Sequence, residues 1–164
     1  MTKFTMMSSK TRIYFIAILG IVVDQITKLL VISNFDVGMG KTIIRSFFSI
    51  VYIQNTGAAW GMFSDGTLLL AIISILFLIF AIIYISKLKY VSKISSVAYG
   101  MFIGGIVGNL IDRLGRHYVV DFLSFDIFGH PFPVFNIADS LIVISIILII
   151  VESLIKEMNE NDSR

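Results

Sequence analysis

Residues 68–85, LLLAIISILFLIFAIIYI, form an uninterrupted apolar run that decides the fold class. A helix needs about 20 mostly apolar residues to cross the hydrocarbon core of a bilayer. This run comes close to that length and contains no charged side chain. It therefore predicts a membrane-spanning helix, and the rest of the chain contains three more segments of similar character.

The three further predicted spans are residues 13–32, which include Asp24 and Lys28, residues 94–111, and residues 134–151, whose only charge is Asp139. With 57% hydrophobic and 15% charged residues, the chain is more apolar than a soluble domain, which is about half apolar and about a quarter charged. The first span is too long for a cleavable signal peptide, and we expect it to be retained. The sequence predicts an all-α membrane protein with four transmembrane helices, in one domain over residues 1–164.

The orientation in the membrane follows from the short loops, because Lys and Arg accumulate on the cytoplasmic side. Such residues precede the first span and separate the second from the third, at Lys3, Lys10, Arg12, Lys87, Lys89 and Lys93. This pattern predicts that both termini are cytoplasmic and that residues 33–67 and 112–133 lie outside, although Arg113 and Arg116 oppose it. Asp121 and Asp139 then fall on the outer side of the membrane.

The first outer segment, residues 33–66, is long for a simple connection. Residues 43–53 are rich in β-branched and aromatic side chains, which favours a strand. Trp60, the single tryptophan, suits the membrane interface. We expect a small extracytoplasmic β-rich cradle, and a plain amphipathic loop is the alternative.

Asp121 and Asp139 are the strongest candidates for chemistry, because a carboxylate beside hydrocarbon is expensive to keep. Two that meet across a short loop suggest a pair that shares one proton. Simpler interpretations stay open: Asp121 as a solvated loop acid, and Asp139 with Asn136 as a helix cap and first-turn acid. The chain has no Cys, and His117 and His130 do not form a His-Glu-x-x-His motif, so carboxylate chemistry without a metal is what remains if the chain is an enzyme.

Two further patterns have mainly structural interpretations. Asp24 and Lys28 are four residues apart, which favours an ion pair on one helix face with a structural or substrate-orienting role. Gly100, Gly104 and Gly108 form a stripe of small residues that allows close helix contact.

The remaining polar candidates each have two interpretations. Asn109 suits an interhelical hydrogen bond or a site role, and Asp112 with Arg113 suits a charge pair at a helix end or, for Arg113, a site role. Asn55 and Gly57 suit a turn, or Asn55 donates its amide to a substrate backbone.

Five motifs follow one another along the chain. They are Asp24-Gln25-x-x-Lys28, Asn55-x-Gly57-Ala58-Ala59-Trp60-Gly61, Gly104-Gly105-x-x-Gly108-Asn109-x-x-Asp112-Arg113, Val120-Asp121-Phe122 and Phe135-Asn136-x-Ala138-Asp139-Ser140. Together they resemble lipoprotein signal peptidase, the bacterial type II signal peptidase family.

The resemblance implies an aspartic endopeptidase of the bacterial cytoplasmic membrane. Such enzymes remove the signal peptide from prolipoproteins whose cysteine carries a diacylglyceryl group, and they cut just before that cysteine. Asp121 and Asp139 match the catalytic pair. The other motif positions, which would shape the site or hold substrate, are Asp24, Lys28, Asn55, Gly57, Asn109, Asp112, Arg113, Asn136 and Ala138.

The expected partners are lipid-modified prolipoproteins and membrane lipid, with no nucleic acid and no cofactor, and we expect a monomer. The alternative function is a small ion-coupled transporter or channel subunit, since acids within a membrane often mark proton paths. Transporters usually show repeated halves with a site near the midplane, and no repeat is visible here. A non-catalytic scaffold with glycine-mediated packing is a third interpretation.

Overall fold

The computed structural model describes residues 8–57, 66–88 and 90–162. Trp60, expected at the interface, and the cations Lys3 and Lys89 lie outside these residues. In chain order the elements are α1 (Ser9–Asn34), β1 (Gly40–Ile44), β2 (Phe48–Asn55), α2 (Thr67–Lys87), α3 (Lys93–Gly115), β3 (Val119–Ile127), β4 (His130–Pro131) and α4 (Ile137–Asp162).

All four predicted spans correspond to helices long and apolar enough to cross a membrane. The predicted start of the fourth span at Val134 is wrong, because α4 begins at Ile137 and continues to Asp162. The backbone of Phe135 instead forms an antiparallel bridge with Leu123. Hydropathy does not distinguish an apolar extended segment from the helix that follows it.

The central helix is α3, which packs against α1, α2 and α4. Its glycines let the backbones approach closely, as the stripe predicted. A Cβ atom built at Gly104 would lie 2.9 Å from the carbonyl oxygen of Ala17 in α1, and one at Gly105 would lie 2.5 Å from that of Ala138 in α4. Within the described chain, α2 packs on α3 alone, and large apolar side chains such as Phe80 remain exposed on its surface, as expected for contact with lipid.

The four strands form one antiparallel sheet in the order β1-β2-β3-β4. The strand predicted over residues 43–53 is divided in two by a turn at Ser46, whose φ of 57° is left-handed. In addition, β1 begins earlier and β2 ends later than the predicted strand. The β-rich interpretation of the first connection is confirmed over its described part. The second connection also contributes strands, which the sequence analysis did not predict.

The sheet is fixed to the bundle by a small apolar core. Tyr52 from β2 and Val120 and Phe122 from β3 pack against Val31 near the end of α1. The β3 strand therefore runs beside α1 and α3, and it carries Asp121, which lies in a strand and not in a loop. This packing places Asp121, near the start of β3, close to the helices.

Candidate active site

Asp121 and Asp139, called the aspartate pair below, line one cavity of about 650 Å³. Asp121 reaches it from β3 and Asp139 from the first turn of α4. The polar wall also includes Asn55, Asn109 and Arg113. The structure therefore brings together the two acids that the sequence singled out, although they are 18 positions apart in the chain.

Asp121 is 3% exposed and is held by two side-chain amides. The Nδ2 group of Asn55 donates to its Oδ2 atom, and the Nδ2 group of Asn136 donates to its Oδ1 atom, both at 2.7 Å. Burial in weakly polar surroundings raises the pKa of Asp121 from 3.8 to about 7, and the nearby charge of Asp139 adds to the rise while the two amides oppose it. This carboxyl group can therefore carry a proton near neutral pH.

Asp139 belongs to a reciprocal cap at the start of α4. The Oδ1 atom of Asn136 accepts from the backbone N–H of Asp139 at 3.0 Å, and the Oδ2 atom of Asp139 accepts from the backbone N–H of Asn136 at 3.1 Å. The cap predicted for these two residues is confirmed. Asn136 also reaches Asp121, so one residue caps the helix and touches both acids, and the capping interpretation and a site role coexist.

Each of the four carboxyl oxygens of the aspartate pair accepts one amide N–H group. An oxygen that accepts one hydrogen bond keeps a second lone pair, so the shared proton suggested by the sequence stays a prediction. The nearby charge of Asp139 contributes to the raised pKa of Asp121. Both remain accessible to one cavity.

A second polar group, called the ion cluster below, consists of Lys28, Asp24, Asp112 and Arg116. The Nζ atom of Lys28 lies 2.9 Å from a carboxylate oxygen of Asp24 and 2.9 Å from one of Asp112, and all three side chains are fully buried. Arg116 pairs with the other oxygen of Asp112. The predicted Asp24–Lys28 pair is confirmed. Of the two interpretations left open for Asp112 and Arg113, the charge pair is not observed among the described residues, since Asp112 pairs with Lys28 and Arg116.

The ion cluster does not line the cavity, but it binds backbone groups next to both members of the aspartate pair. The Oδ1 atom of Asp24 accepts from the backbone N–H of Ala138 at 2.9 Å, beside Asp139. The Oδ2 atom of Asp112 accepts from the backbone N–H of Val120 at 3.0 Å, beside Asp121. A buried carboxylate of the ion cluster thus holds the backbone N–H of the residue just before each member of the aspartate pair.

Gln25 and Arg116 complete the ion cluster, and the sequence analysis assigned neither a role. The Nε2 group of Gln25 donates to Asp24 at 3.1 Å, to the carbonyl oxygen of Gly108 at 3.1 Å and to Asp112 at 3.2 Å. The spacing of four residues between Asp112 and Arg116 was the available signal, since it places them on one helix face.

Asn55, Gly57 and Arg113 shape the mouth of the cavity. The Oδ1 atom of Asn55 accepts from the backbone N–H of Gly57 at 2.9 Å, which is the predicted turn, while its amide group holds Asp121. Arg113 lines the cavity and is attracted to both members of the aspartate pair. Its guanidinium makes no hydrogen bond to the described residues, so its donors are available to a molecule in the cavity.

The rest of the cavity wall is apolar and comes mostly from the segment before α4. It is formed by Phe132, Pro133, Val134, Phe135, Val143 and Ile144. From the sequence, Val134 and Phe135 were predicted to lie in a helix and Phe132 and Pro133 in a connection, so this wall was not predicted. A buried acid, Asp121, and a half-buried acid, Asp139, beside apolar walls can activate water while most of the bulk solvent is excluded. Among the described residues, no three His, Asp or Glu side chains come close enough to hold a metal ion.

Comparison with known proteins gives one family and close structural relatives. The sequence profile of the signal peptidase (SPase) II family, Peptidase_A8, matches residues 16–155. A structure described as a bacterial membrane enzyme, determined at 2.3 Å by the in meso method, is 36% identical, with 88% of each chain covered and a TM-score of 0.82. A second structure so described, at 1.9 Å, is 37% identical over 85% of this chain and 90% of that one, with a TM-score of 0.77.

Proposed function

The chain belongs to the signal peptidase II family, and from this premise we propose that it removes the signal peptide from diacylglyceryl-modified prolipoproteins, cutting just before the lipidated cysteine. The family makes it a membrane peptidase, which favours this function over an ion-coupled transporter or channel subunit. The observation that carries the proposal is the convergence of Asp121 and Asp139 on one cavity with apolar walls. Asp121 and Asp139 are the proposed catalytic residues.

The reaction starts with a water molecule bound between the two carboxyl groups and the scissile peptide. The ionised acid removes a proton from the water, and the resulting hydroxide attacks the carbonyl carbon. The protonated acid donates a hydrogen bond to the oxygen that becomes negative. It then passes its proton to the leaving nitrogen as the C–N bond breaks, and the pair returns to one shared proton. Acid–base help of this kind is worth about 10²–10⁴ in rate.

Arg113 and Asn55 supply the positioning. The guanidinium of Arg113 lines the cavity and makes no hydrogen bond to the described residues, so it can hold a carbonyl oxygen of the substrate backbone. Asn55 commits its amide to Asp121 and its oxygen to Gly57, so its role is to orient the acid and not to bind the peptide. Amides that orient a carboxyl group before substrate arrives reduce the reorganisation needed during the reaction.

The lipid on the substrate cysteine fits a site at the edge of a bilayer. The exposed apolar faces of the helices keep the protein in the membrane, and a diacylglyceryl group in the same bilayer fixes the depth of the peptide bond beside it. The cationic loop residues favour cytoplasmic termini, which would put the sheet and the aspartate pair at the outer face. The partners are then lipid-modified prolipoproteins and membrane lipid, with the protein acting as a monomer.

The test is cleavage of two matched peptides by the purified protein in detergent. Both peptides carry the same signal sequence and cysteine, and one also carries the diacylglyceryl group. Mass spectrometry is expected to find a single cut before the cysteine of the lipidated peptide and none in its twin. Equal cleavage of both peptides, or a cut elsewhere, would reject the proposed substrate and cleavage site.

A further inference from the structure

We propose that Lys28 is a positioning residue that acts through the amide of Asn109, holding Asp139 as the ionised member of the aspartate pair and leaving Asp121 to carry the proton. This inference rests on the proposed function and adds the assignment of the two acids. The path from Lys28 through Asn109 to Asp139 is called the Lys28–Asn109 relay below. Lys28 itself is fully buried and touches no substrate in this arrangement.

The ammonium of Lys28 has no unused donor. Its three N–H groups match three acceptors at 2.9 Å: a carboxylate oxygen of Asp24, one of Asp112, and the Oδ1 atom of Asn109. Two of these contacts neutralise the buried charge. The third has no such purpose, because a neutral amide does not balance an ammonium, and it is the contact that leads toward the cavity.

The contact with Lys28 fixes which way the amide of Asn109 points. An ammonium group only donates, so the amide must present its oxygen to Lys28. The same oxygen accepts from the Nδ2 group of Asn136 at 3.1 Å, which occupies its second lone pair. The Nδ2 group of Asn109 must then face the other way, where it donates to the Oδ1 atom of Asp139 at 2.7 Å. A flipped amide would oppose like groups at both ends.

The two acids differ in their distance from this cation. Asp139 is one amide away from Lys28, through Asn109, whereas Asp121 is two amides away, through Asn136 and then Asn109. Asp139 also accepts a backbone N–H in the first turn of α4, where the helix dipole favours negative charge. Asp121 lies on a strand and has neither advantage, which agrees with its raised pKa of about 7.

The charged groups around Asp139 come from three elements. They are Lys28 and Asp24 on α1, Arg113 and Asp112 on α3, and Asp121 on β3. Arg113 and Lys28 each attract both acids, so neither charge separates them by itself. The Lys28–Asn109 relay is the asymmetric element, because its hydrogen bond ends on Asp139.

The first test compares pH profiles of cleavage of the lipidated peptide. The double variant Asp24→Asn/Lys28→Met removes the ammonium and one carboxylate together, so the ion cluster stays neutral and Asp112 keeps Arg116. We expect the acid limb of its kcat/KM profile to move up by about one pH unit, the lower end of what a nearby opposite charge produces. Lys156→Met, which removes the cation of another ion pair in α4, is expected to leave both limbs in place.

If Lys28 had a purely structural role, the double variant would lower the rate equally at every pH, with both limbs unmoved, and that result would overturn the proposal.

The second test needs no substrate and no folded double variant. In wild-type protein labelled with ¹³C at the aspartate carboxyl groups, the Asp139 resonance is expected to titrate at lower pH than that of Asp121, with Asp121→Asn and Asp139→Asn used for assignment. The reverse order would also overturn it. Wild-type protein that titrates as expected but leaves the lipidated peptide uncut would reject the proposed function and not the relay.

Discussion

The ion cluster and the aspartate pair each contain two aspartates, but the two groups differ in what surrounds the negative charge. Within the ion cluster, both aspartates contact the ammonium of Lys28 at 2.9 Å. In the described chain, neither member of the aspartate pair forms an ion pair, and both accept hydrogen bonds from amides. An acid paired with a cation stays ionised, whereas an acid among amides and apolar walls can gain or lose a proton. The comparison separates carboxylates that hold the fold from carboxylates that can do chemistry.

The largest expected effect is the loss of activity when a member of the aspartate pair loses its acid–base function. Asp121→Asn and Asp139→Asn should each lower the cleavage rate by about 10⁴-fold, the upper end for acid–base catalysis, while the thermal unfolding temperature changes little. The matched control is Asp126→Asn, on the same strand as Asp121, where the carboxylate accepts the backbone N–H of Gly129 at the exposed end of the strand. A variant of the pair that cleaves at near the wild-type rate would remove the distinction between the two groups.

Stability should respond in the opposite way, with the ion cluster more sensitive than the aspartate pair. Lys28→Met leaves Asp24 without its cation in a buried position, which should lower the free energy of unfolding by about 3–5 kcal/mol. Lys156→Met breaks an ion pair whose lysine is 59% exposed, and it should change stability by no more than about 1 kcal/mol. Denaturation in detergent monitored by circular dichroism measures both. Equal losses in the two variants would show that the buried cluster is not a structural element.

Asn136 should affect both stability and rate, because it caps α4 and also donates to Asp121. Asn136→Ser keeps a capping oxygen but removes the amide donor to Asp121, so the rate should fall about 10–100-fold, the cost of leaving a buried polar group without its hydrogen-bond partner, at nearly wild-type stability. Asn136→Ala removes both functions and should also cost about 1 kcal/mol of stability. Parallel rate and unfolding measurements separate the two roles. A rate loss confined to Asn136→Ala would make capping the sole role of this residue.

The smallest expected effect is the response of the wild-type rate to pH near neutrality. Burial raises the pKa of Asp121 to about 7, so the proton is retained below that pH and lost above it. The form with one shared proton then disappears as pH rises, and kcat/KM for the lipidated peptide should fall about tenfold per unit above pH 7. A profile that stays flat to pH 9, with chemistry as the slow step, would contradict a proton held by the pair.

Local patterns were sufficient to predict several parts of the molecule. Apolar length predicted the four spans, the spacing of four residues predicted the Asp24–Lys28 pair, and the Asn136–Asp139 spacing predicted the cap of α4. Each of these depends on residues within one helix or at its end. Because these features are local, the sequence alone was enough to predict them. The one error among them, the start of the fourth span at Val134, concerned only the boundary of a helix.

Long-range contacts were not predictable in the same way. The β3 strand exists because residues 119–127 pair with β2, more than 60 positions earlier, and nothing within the segment identifies that partner. The pairing of Asp112 with Lys28 depends likewise on the packing of α3 against α1. The proximity of Asp121 to Asp139 was a hypothesis, supported by the resemblance of the motifs to a known family, and the fold now places both on one cavity.

A double-mutant cycle of cleavage rates is the most direct test of whether the aspartate pair works as one unit. Rates are measured for wild type, Asp121→Asn, Asp139→Asn and the double variant under single-turnover conditions. If the two acids exchange one proton in a common step, the double variant should be no slower than the slower single variant, within about threefold, because residues that act as a unit are strongly non-additive. Losses that multiply in the double variant would show that the two acids act independently and would contradict the account.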